Sequence, residues 1–462
     1  MSRILSCIGL LLAVSGGSGM SDPITLEDII TRTIHSSKEL DAARALEELL
    51  RLEKRMSILA FFPRLSGGFS ATDTVIYSSP DTRTYRIYTG LEQPLFTGGA
   101  LIEGFRTGKE ALENHRYETQ GIENAVIFEA AAGYARLILL EALLGIHRMT
   151  EELLEGQLRA AEEELAMGLI TEMTAAKMRL ARDRQTLAGN AVESEYRALR
   201  TRMAGKLGIE PAAALEPAEV MRPAYSGCLR GVTADRFLIA ARVGNPGIVA
   251  RRFEAAAAER AFKHAKRFWI PRITLKGEVF AAGDRLPLSV PGFSLGIDVT
   301  VPVPFLPLTG SLTVGSPAPD GRFADLRGRA SERPMNGGTV TAARVASERA
   351  GLELSTALLG LEENISSVCS EIQQAGELLQ REREYLSLLD YEARIAEEEL
   401  RLGEIGRLEY MEAAVERASQ KGKILEAQYT QFLRELEVCA LSGFSLAVDP
   451  FCLYEVYFEV GK

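Results

Sequence analysis

The sequence alternates long stretches of helical periodicity with short stretches in which every second residue is apolar. Residues 100 to about 205, and again residues 337 to about 442, contain no proline and repeat apolar side chains three and four positions apart. This spacing predicts long amphipathic helices. Shorter helical segments precede both stretches, one at residues 26 to about 60 and one at residues 245–268.

The stretches of alternating polarity indicate β-strands. Every odd position from 293 to 305 is apolar, whereas the residues between them are mostly small or polar. A similar alternation precedes it from Ile273, and the first half of the chain carries a weaker version around Tyr85, Ile87 and Leu91. A period of two is typical of a membrane strand with one side facing lipid, and also of a soluble sheet with one buried side.

The order of helix, two strands and long helical stretch occurs twice, which indicates an internal duplication. Residues 161–168 (AEEELAMG) correspond to residues 396–403 (AEEELRLG), at an offset of 235 positions. We divide the chain into a leader at 1–20, a first repeat at 21–231, a second repeat at 232–442 and a tail at 443–462. The second repeat contains an inserted segment, 306–336, which is either an enlarged loop or an added hairpin.

The N-terminus has the features of a secretory signal peptide. Arg3 is followed by an apolar run from Ile4 to Val14 and then by small residues. A basic start, a short apolar core and small residues before a cleavage site define such a leader, and the run is too short to span a bilayer. We therefore expect the mature protein to be exported.

Composition narrows the possible classes of function. The chain has 462 residues, a formal net charge of -10 and 46% hydrophobic residues. The hydrophobic content is typical of a globular protein, and the negative net charge argues against the basic surface that nucleic-acid binding requires. The histidines and cysteines form no metal-binding spacing, and no nucleophile or phosphate-loop motif occurs. We expect no catalytic residues, no metal, no cofactor and no nucleic-acid partner.

The two long helical stretches are too long to bury their apolar sides within one small domain. At about 1.5 Å per residue, the segments 99–168 and 338–403 would each reach roughly 100 Å. Their apolar stripes need neighbouring helices, which favours assembly into a coiled-coil tube. Four strands cannot close a barrel, so the strands form either a soluble sheet or part of a barrel shared between several chains.

Several short motifs recur in a fixed order along residues 26 to about 442. One is the strand exit LEQPLFTGG at residues 91–99, and another is the helix start Asn245-Pro246-Gly247-Ile248. The others are two strand starts and two helical tips: Phe62-Pro63-Arg64-Leu65, Ile270-Pro271-Arg272-Ile273, Met167-Gly168 and Leu402-Gly403. In order, duplication and spacing, these motifs resemble those of the TolC-like outer-membrane efflux proteins.

The resemblance implies a mainly α fold with a β-domain. Long α-helical hairpins would form a trimeric periplasmic α-barrel, and four strands per chain would contribute to a shared twelve-stranded outer-membrane β-barrel. Such a homotrimer would be a passive exit channel for substrates delivered by an inner-membrane transporter and a periplasmic adaptor, in tripartite efflux or type I secretion. Its partners would be itself, the adaptor, the transporter and outer-membrane lipid.

The resemblance implies two sets of functional residues, and the positions of the aromatic residues at the strand starts indicate a third. The hairpin tips would contact the adaptor through Met167, Gly168, Leu169, Ile170, Leu402, Gly403, Glu404 and Ile405. Glu409 and Glu412 would line a constriction, where three copies form a ring of carboxylates that attracts cations; the alternative is that both are solvated positions of a Glu-rich helix. Aromatic residues at the strand starts would lie at the membrane interface: Phe61, Phe62, Phe268 and Trp269.

Two questions stay open at the level of sequence. Cys369 and Cys439 are equally distant from the second tip, so antiparallel arms would place them at one height, as a disulfide or as two buried thiols. The pairing of Cys228 and Cys452 is not specified. The alternative function is a periplasmic structural coiled-coil protein without channel activity, and the sequence does not specify a cargo.

Overall fold

The computed structural model describes residues 23–74, 82–209, 215–221, 229, 233–267, 270–301, 308–317, 323–330, 337–446 and 458–460. Its helices are α1 (Leu26–Ser36), α2 (Lys38–Leu59), α3 (Ala100–Ala166), α4 (Glu172–Leu207), α5 (Ala234–Gly244), α6 (Pro246–Lys266), α7 (Gly337–Leu402) and α8 (Arg407–Leu441). Its strands are β1 (Arg64–Thr74), β2 (Thr82–Phe96), β3 (Glu219–Met221), β4 (Arg272–Gly283), β5 (Val290–Val301), β6 (Leu308–Pro317), β7 (Phe323–Ala330) and β8 (Phe458–Val460).

Two helical hairpins of matching size dominate the molecule. The first joins α3, of 67 residues, to α4, of 36 residues, and the second joins α7, of 66 residues, to α8, of 35 residues. At about 1.5 Å per residue, α3 and α7 are each roughly 100 Å long. Within the described residues, no helix combines the length and apolarity that crossing a membrane requires.

The N-P-G-I motif is a helix start whose side chains also fix a tertiary contact. Asn245 Oδ1 accepts the Ile248 N–H at 3.1 Å, and Pro246 occupies the first turn, where its missing N–H costs nothing. Asn245 Nδ2 donates to the Leu441 carbonyl at 2.8 Å. One residue therefore caps α6 and holds its start against the end of α8.

Six strands form the main sheet, in the order β1-β2-β4-β5-β6-β7, and every neighbouring pair is antiparallel. The chain therefore carries six strands in this sheet rather than the expected four. The two additional strands lie within the segment 306–336, so the added-hairpin alternative is the correct one. The sequence conceals this hairpin because Gly310 and Gly328 occupy apolar-face positions and interrupt the apolar alternation on which strand prediction depends.

The main sheet has one apolar face and one polar face. Residues that pair across an antiparallel ladder share a face, as Ile297 and Leu312 do. The large apolar side chains exposed on the apolar face are Leu65, Phe69, Ile87, Leu91, Val279, Phe293, Leu295, Ile297, Leu312 and Val314. The opposite face carries the charged residues Arg86, Lys276, Glu278 and Asp298.

The helices pack around two apolar clusters, which lie near the middle of α3 and α7 and near the ends of α4 and α8 that are remote from the tips. The first includes Ile29, Ile138 and Leu436, and the buried Tyr134 in it donates its hydroxyl to the Ile24 carbonyl at 2.9 Å. The second joins α5, α6, α7 and α8 through residues such as Ile365. The first cluster joins α3 and α4 of the first hairpin to α8 of the second, and the other cluster packs α5 and α6 against the second hairpin.

Cys369 and Cys439 are free thiols. Both pack in the second cluster, which places them at one height on the antiparallel arms of α7 and α8, as their spacing predicts. Burial raises the pKa of the Cys369 thiol. The structure therefore shows two free thiols rather than a disulfide, with Cys369 buried and Cys439 half-buried, whereas Cys228 and Cys452 lie outside the described residues.

Candidate functional site

The first hairpin turns at its tip through a glycine-dependent helix end. Gly168 has a φ of +75°, a left-handed conformation that glycine adopts without steric cost. The Gly168 N–H donates to the Leu165 carbonyl at 3.0 Å, and the Leu169 N–H donates to the Glu164 carbonyl at 2.9 Å. These two bonds define a Schellman motif, which terminates α3.

The second hairpin turns in the same way. Gly403 has a φ of +79°. Its N–H donates to the Leu400 carbonyl at 3.2 Å, and the Glu404 N–H donates to the Glu399 carbonyl at 2.9 Å. Each of these residues stands 235 positions after its counterpart in the first tip. The duplicated motif therefore specifies the same backbone twice.

The helices that leave the two tips are capped by different side chains. In the first tip, Thr171 Oγ1 accepts the Thr174 N–H at 3.2 Å. In the second tip the corresponding residue is Gly406, and Glu409 Oε2 accepts the Gly406 N–H at 3.3 Å. A carboxylate at this position satisfies a free amide and lies at the positive end of the helix dipole. Glu409 therefore has a structural role as a cap of α8.

Arg407 connects the second tip to the first hairpin. Its Nε donates to Glu164 Oε1 at 2.8 Å, and its Nη1 donates to Gln157 Oε1 at 2.8 Å. The side chains of Arg407 and Glu164 are 28% and 25% exposed, so water only partly screens the pair. The corresponding residue of the first tip is Glu172, whose charge has the opposite sign.

An apolar cluster beneath the tips joins the two hairpins. Its buried members are Leu154, Leu158 and Ala161 of α3, Met178 of α4 and Met411 of α8. Ile170 packs against it from the first tip and Leu408 from the second hairpin. The two tips are therefore fixed to one another by both apolar and charged contacts.

The tips present apolar side chains to solvent. Met167, Leu169 and Leu402 are 65%, 70% and 67% exposed. The other predicted tip residues divide into two groups: Ile170 and Ile405 are half-buried, whereas Gly168, Gly403 and Glu404 are exposed. Exposed apolar side chains at the end of a long hairpin are suitable for contact with another protein.

Glu409 and Glu412 lie on α8, one helical turn apart, and both are exposed. Glu412 lines a groove of about 440 Å³ together with Tyr385 and Lys423. The structure thus places both carboxylates close together on one side of the tip region, while a ring formed by three copies stays a prediction.

Polar contacts fix α8 against α7. Arg417 Nε donates to Asp390 Oδ1 at 2.5 Å, and the Tyr385 hydroxyl donates to Glu416 Oε1 at 2.7 Å. The hydrogen bond to the Glu416 carboxylate raises the pKa of Tyr385. Asp390 and Arg417 also line a groove of about 540 Å³ between α3, α7 and α8.

Charged pairs cross the polar face of the sheet. Arg86 of β2 forms an ion pair with Glu278 of β4, and its guanidinium lies 4.1 Å from the centre of the Phe280 ring. Lys276 of β4 pairs with Asp298 of β5 at 2.6 Å. This face therefore has the character of a hydrated surface, in contrast to the exposed apolar side chains opposite.

The predicted interfacial aromatic residues are described only in part. Phe61 and Phe62, which precede β1, are 41% and 58% exposed. Phe268 and Trp269 lie outside the described residues. Membrane-interface positions for all four stay a prediction.

Sequence reasoning missed Arg407 and the charged pairs of the sheet. Arg86 and Glu278 alternate with apolar neighbours, so the alternation contained a signal for their shared face. Arg407 carried no such signal, because its partners belong to the other hairpin. Among the described residues, no group of three or more His, Cys, Asp or Glu is arranged to hold a metal ion.

Solved structures share this architecture along almost the whole chain. The outer membrane protein VceC from Vibrio cholerae has a TM-score of 0.72 at 15% sequence identity, over 91% of this chain and 96% of that chain. The Campylobacter jejuni CmeC outer membrane channel has a TM-score of 0.71 at 12% identity, over 96% of this chain and 93% of that chain. The chain has the TolC-like fold.

CusC, described as forming a transmembrane channel, matches the same TolC-like fold with a TM-score of 0.71 at 14% identity, over 91% of this chain and 92% of that chain. No family model matches the sequence, and no curated protein matches it significantly. The resemblance carried by the sequence motifs is thus confirmed at the level of the fold.

Proposed function

We propose that this chain is the outer-membrane exit channel of a tripartite efflux or type I secretion system. The observation that carries the proposal is the sheet, because large apolar side chains such as Leu65, at 77% exposure, and Val279, at 66%, are exposed on one face while charges occupy the other. Exposing so many large apolar side chains to water is unfavourable, whereas lipid can cover them. The charged face would then line a hydrated lumen.

The exposed side of α7 supports assembly with other copies. Val345, Leu352 and Leu359 are spaced seven residues apart and are 57%, 68% and 69% exposed. A heptad of exposed apolar residues needs a neighbouring helix. We infer a homotrimer in which the long helices of three chains form a periplasmic tunnel continuous with the membrane barrel.

The hairpin tips supply a surface for a periplasmic adaptor, which would connect the channel to an inner-membrane transporter. The exposed side chains of Met167, Leu169 and Leu402 support this assignment. The sequence contains no phosphate-loop motif of the kind that binds a nucleotide, and we propose that conduction is passive.

We further propose that Glu409 and Glu412 line the closable end of the tunnel. Both are exposed on one side of α8 near the tip. In a trimer they would form a ring of carboxylates, whose mutual repulsion would favour bound cations. The capping bond that Glu409 accepts from the Gly406 N–H is compatible with this role, because a carboxylate has further lone pairs.

The first experiment fractionates the cell envelope and sizes the detergent-extracted protein without boiling. The proposal predicts an outer-membrane species near three times the chain mass of 50.5 kDa. The alternative, a periplasmic structural coiled-coil protein without channel activity, predicts a soluble species that needs no detergent. Recovery of such a species would reject the channel.

A further inference from the structure

The added hairpin β6–β7 extends the main sheet without changing its two faces. β6 pairs with β5 over its whole length. Leu312 lies opposite Ile297, and both are exposed on the apolar face. Ser311 lies opposite Asp298 on the polar face. β6 therefore continues both surfaces that the other four strands form.

β7 keeps the same alternation. In its register with β6, Arg327 stands opposite Ser311 and Leu326 stands opposite Leu312. The sequence of β7 (FADLRGRA) has small or apolar residues at the apolar-face positions 324, 326, 328 and 330. Of its four polar-face positions, three are charged (Asp325, Arg327 and Arg329) and one is Phe323. A segment lying beside a barrel would not need this alternation, whereas a strand of the barrel wall does.

β1 and β7 form the two edges of the main sheet. Within the described strands, β1 pairs only with β2 and β7 pairs only with β6. Because all six strands alternate in direction, β1 and β7 run antiparallel to one another. An open edge invites pairing with another chain, and closure into a barrel removes it. The edge of one copy is therefore compatible with the opposite edge of a second copy.

We propose that three copies of this chain close into one barrel of eighteen strands, in which β7 of each protomer pairs with β1 of the next. This proposal rests on the proposed function, because it requires an outer-membrane trimer. It replaces the twelve-stranded barrel that the resemblance implies. In that barrel β5 would pair with β1 of the next protomer, but the ten residues of β6 already occupy this edge of β5.

The additional strands change the size of the channel mouth. Barrel diameter grows about linearly with strand number, so eighteen strands give a mouth roughly 1.5 times as wide as twelve strands. Single-chain barrels of about 16–18 strands enclose an open aqueous channel. The added hairpin therefore widens the outer opening without altering the helical tunnel.

Cysteine cross-linking distinguishes the two barrels. In a background with the native cysteines replaced by serine, Gly328→Cys on β7 is combined in turn with Leu65→Cys, Gly67→Cys, Phe69→Cys and Ala71→Cys on β1. All these positions belong to the apolar face. Within one chain, β1 and β7 are five strand spacings apart, about 24 Å at roughly 4.8 Å each, which a disulfide cannot bridge. Any link is therefore between protomers.

The matched control places the partner cysteine on β5 instead, as Leu295→Cys combined with the same β1 positions. β5 and β1 are three strand spacings apart in one chain, about 14 Å, so this link also requires two protomers. Membranes are oxidised with copper phenanthroline and analysed on denaturing gels without reductant, and unboiled samples report whether the trimer is intact.

The eighteen-stranded barrel predicts a covalent trimer for Gly328→Cys with at least one β1 position and none for Leu295→Cys. Links from Leu295→Cys, or an intact trimer that gives no link from Gly328→Cys at any β1 position, would overturn it while leaving the proposed function standing. A protein that is monomeric and soluble in all samples would overturn both.

Discussion

The two hairpin tips share a backbone and differ in the side chains that hold it. Both end their long helix in a Schellman motif with a left-handed glycine, Gly168 in the first tip and Gly403 in the second. The first tip then starts α4 with the neutral cap Thr171, whereas the second starts α8 with the carboxylate of Glu409. The turn therefore depends on glycine, and the cap can be exchanged.

The side chains that differ between the tips also determine the contacts between the two hairpins. The first tip ends in neutral and acidic residues, including Glu172, and the second has Arg407 at the corresponding position. Arg407 donates to Glu164 and Gln157 of α3. The two tips thus share one backbone geometry, while their side chains differ, so that only the arginine of the second tip reaches α3 of the first hairpin.

The largest expected loss of stability is at Met411 of α8, which packs in the apolar cluster beneath the tips with residues of α3 and α4. Met411 is fully buried, so Met411→Ala should destabilise the tips by about 2–5 kcal/mol through lost burial and a residual cavity. Hydrogen exchange of the extracted protein should show faster opening in both hairpins. The matched control is Met173→Ala in the first tip, which is 67% exposed and should change little. Faster exchange confined to α8 would disprove the coupling of the two tips.

The second prediction tests whether the two glycines are equivalent. Gly168→Ala and Gly403→Ala each force a β-carbon into a left-handed conformation, which should cost about 1–2 kcal/mol. Because the two turns have the same backbone, the two costs should agree, as measured by hydrogen exchange at the adjacent helix ends.

The control for the glycine pair is Gly156→Ala in the interior of α3. Nothing lies within 4 Å of an added β-carbon there, so alanine should stabilise the helix by about 0.5–1 kcal/mol. A loss at Gly168 without a loss at Gly403 would show that the second tip is held by its side chains and not by its backbone.

The sequence specified the parts of this comparison that depend on local chemistry. The proline-free segments with amphipathic periodicity predicted the long helices. The repeated Met167-Gly168 and Leu402-Gly403 pairs predicted both turns. The spacing of Gly406 and Glu409 also indicates the cap, because an acidic side chain three residues after the N-cap can accept the N–H of the N-cap residue.

The contacts that the sequence did not reveal depend on tertiary structure. Arg407 reaches residues more than two hundred positions away, and nothing in its local sequence identifies them. The hairpin β6–β7 is hidden from local sequence patterns for a different reason: its glycine-rich strands bear few apolar side chains, and the pairing of β6 with β5 defines its two faces. The partners of a multi-chain assembly are likewise absent from local sequence patterns.

The third prediction concerns the contact between the tips. Arg407→Ala removes two hydrogen bonds from a partly buried guanidinium and should reduce the stability of the α8 start by about 1 kcal/mol. A double-mutant cycle with Glu164→Gln would isolate the pair. The matched control is Arg401→Ala. The side chains of Arg401 and its partner Glu398 are 76% and 61% exposed, so this ion pair should contribute almost nothing to stability. Equal effects of the two arginines would mean that Arg407 does not tie the hairpins together.

The smallest expected change in stability separates the two roles of Glu409. Glutamine also accepts the Gly406 N–H, so Glu409→Gln should change the stability of α8 by less than about 0.5 kcal/mol, whereas Glu409→Ala should cost about 1 kcal/mol. Thr171→Ala gives the corresponding cost, about 1 kcal/mol, in the first tip.

The charge of Glu409 is tested by ion selectivity in the same variants. In planar bilayers under a salt gradient, Glu409→Gln removes one carboxylate per protomer and should shift the reversal potential towards weaker cation preference, because fewer negative charges would line the constriction. Thr171→Ala removes a cap without removing a charge and should leave the reversal potential unchanged. If Glu409→Gln leaves it unchanged as well, the carboxylate serves the cap alone, and the two tips differ only in how they start a helix.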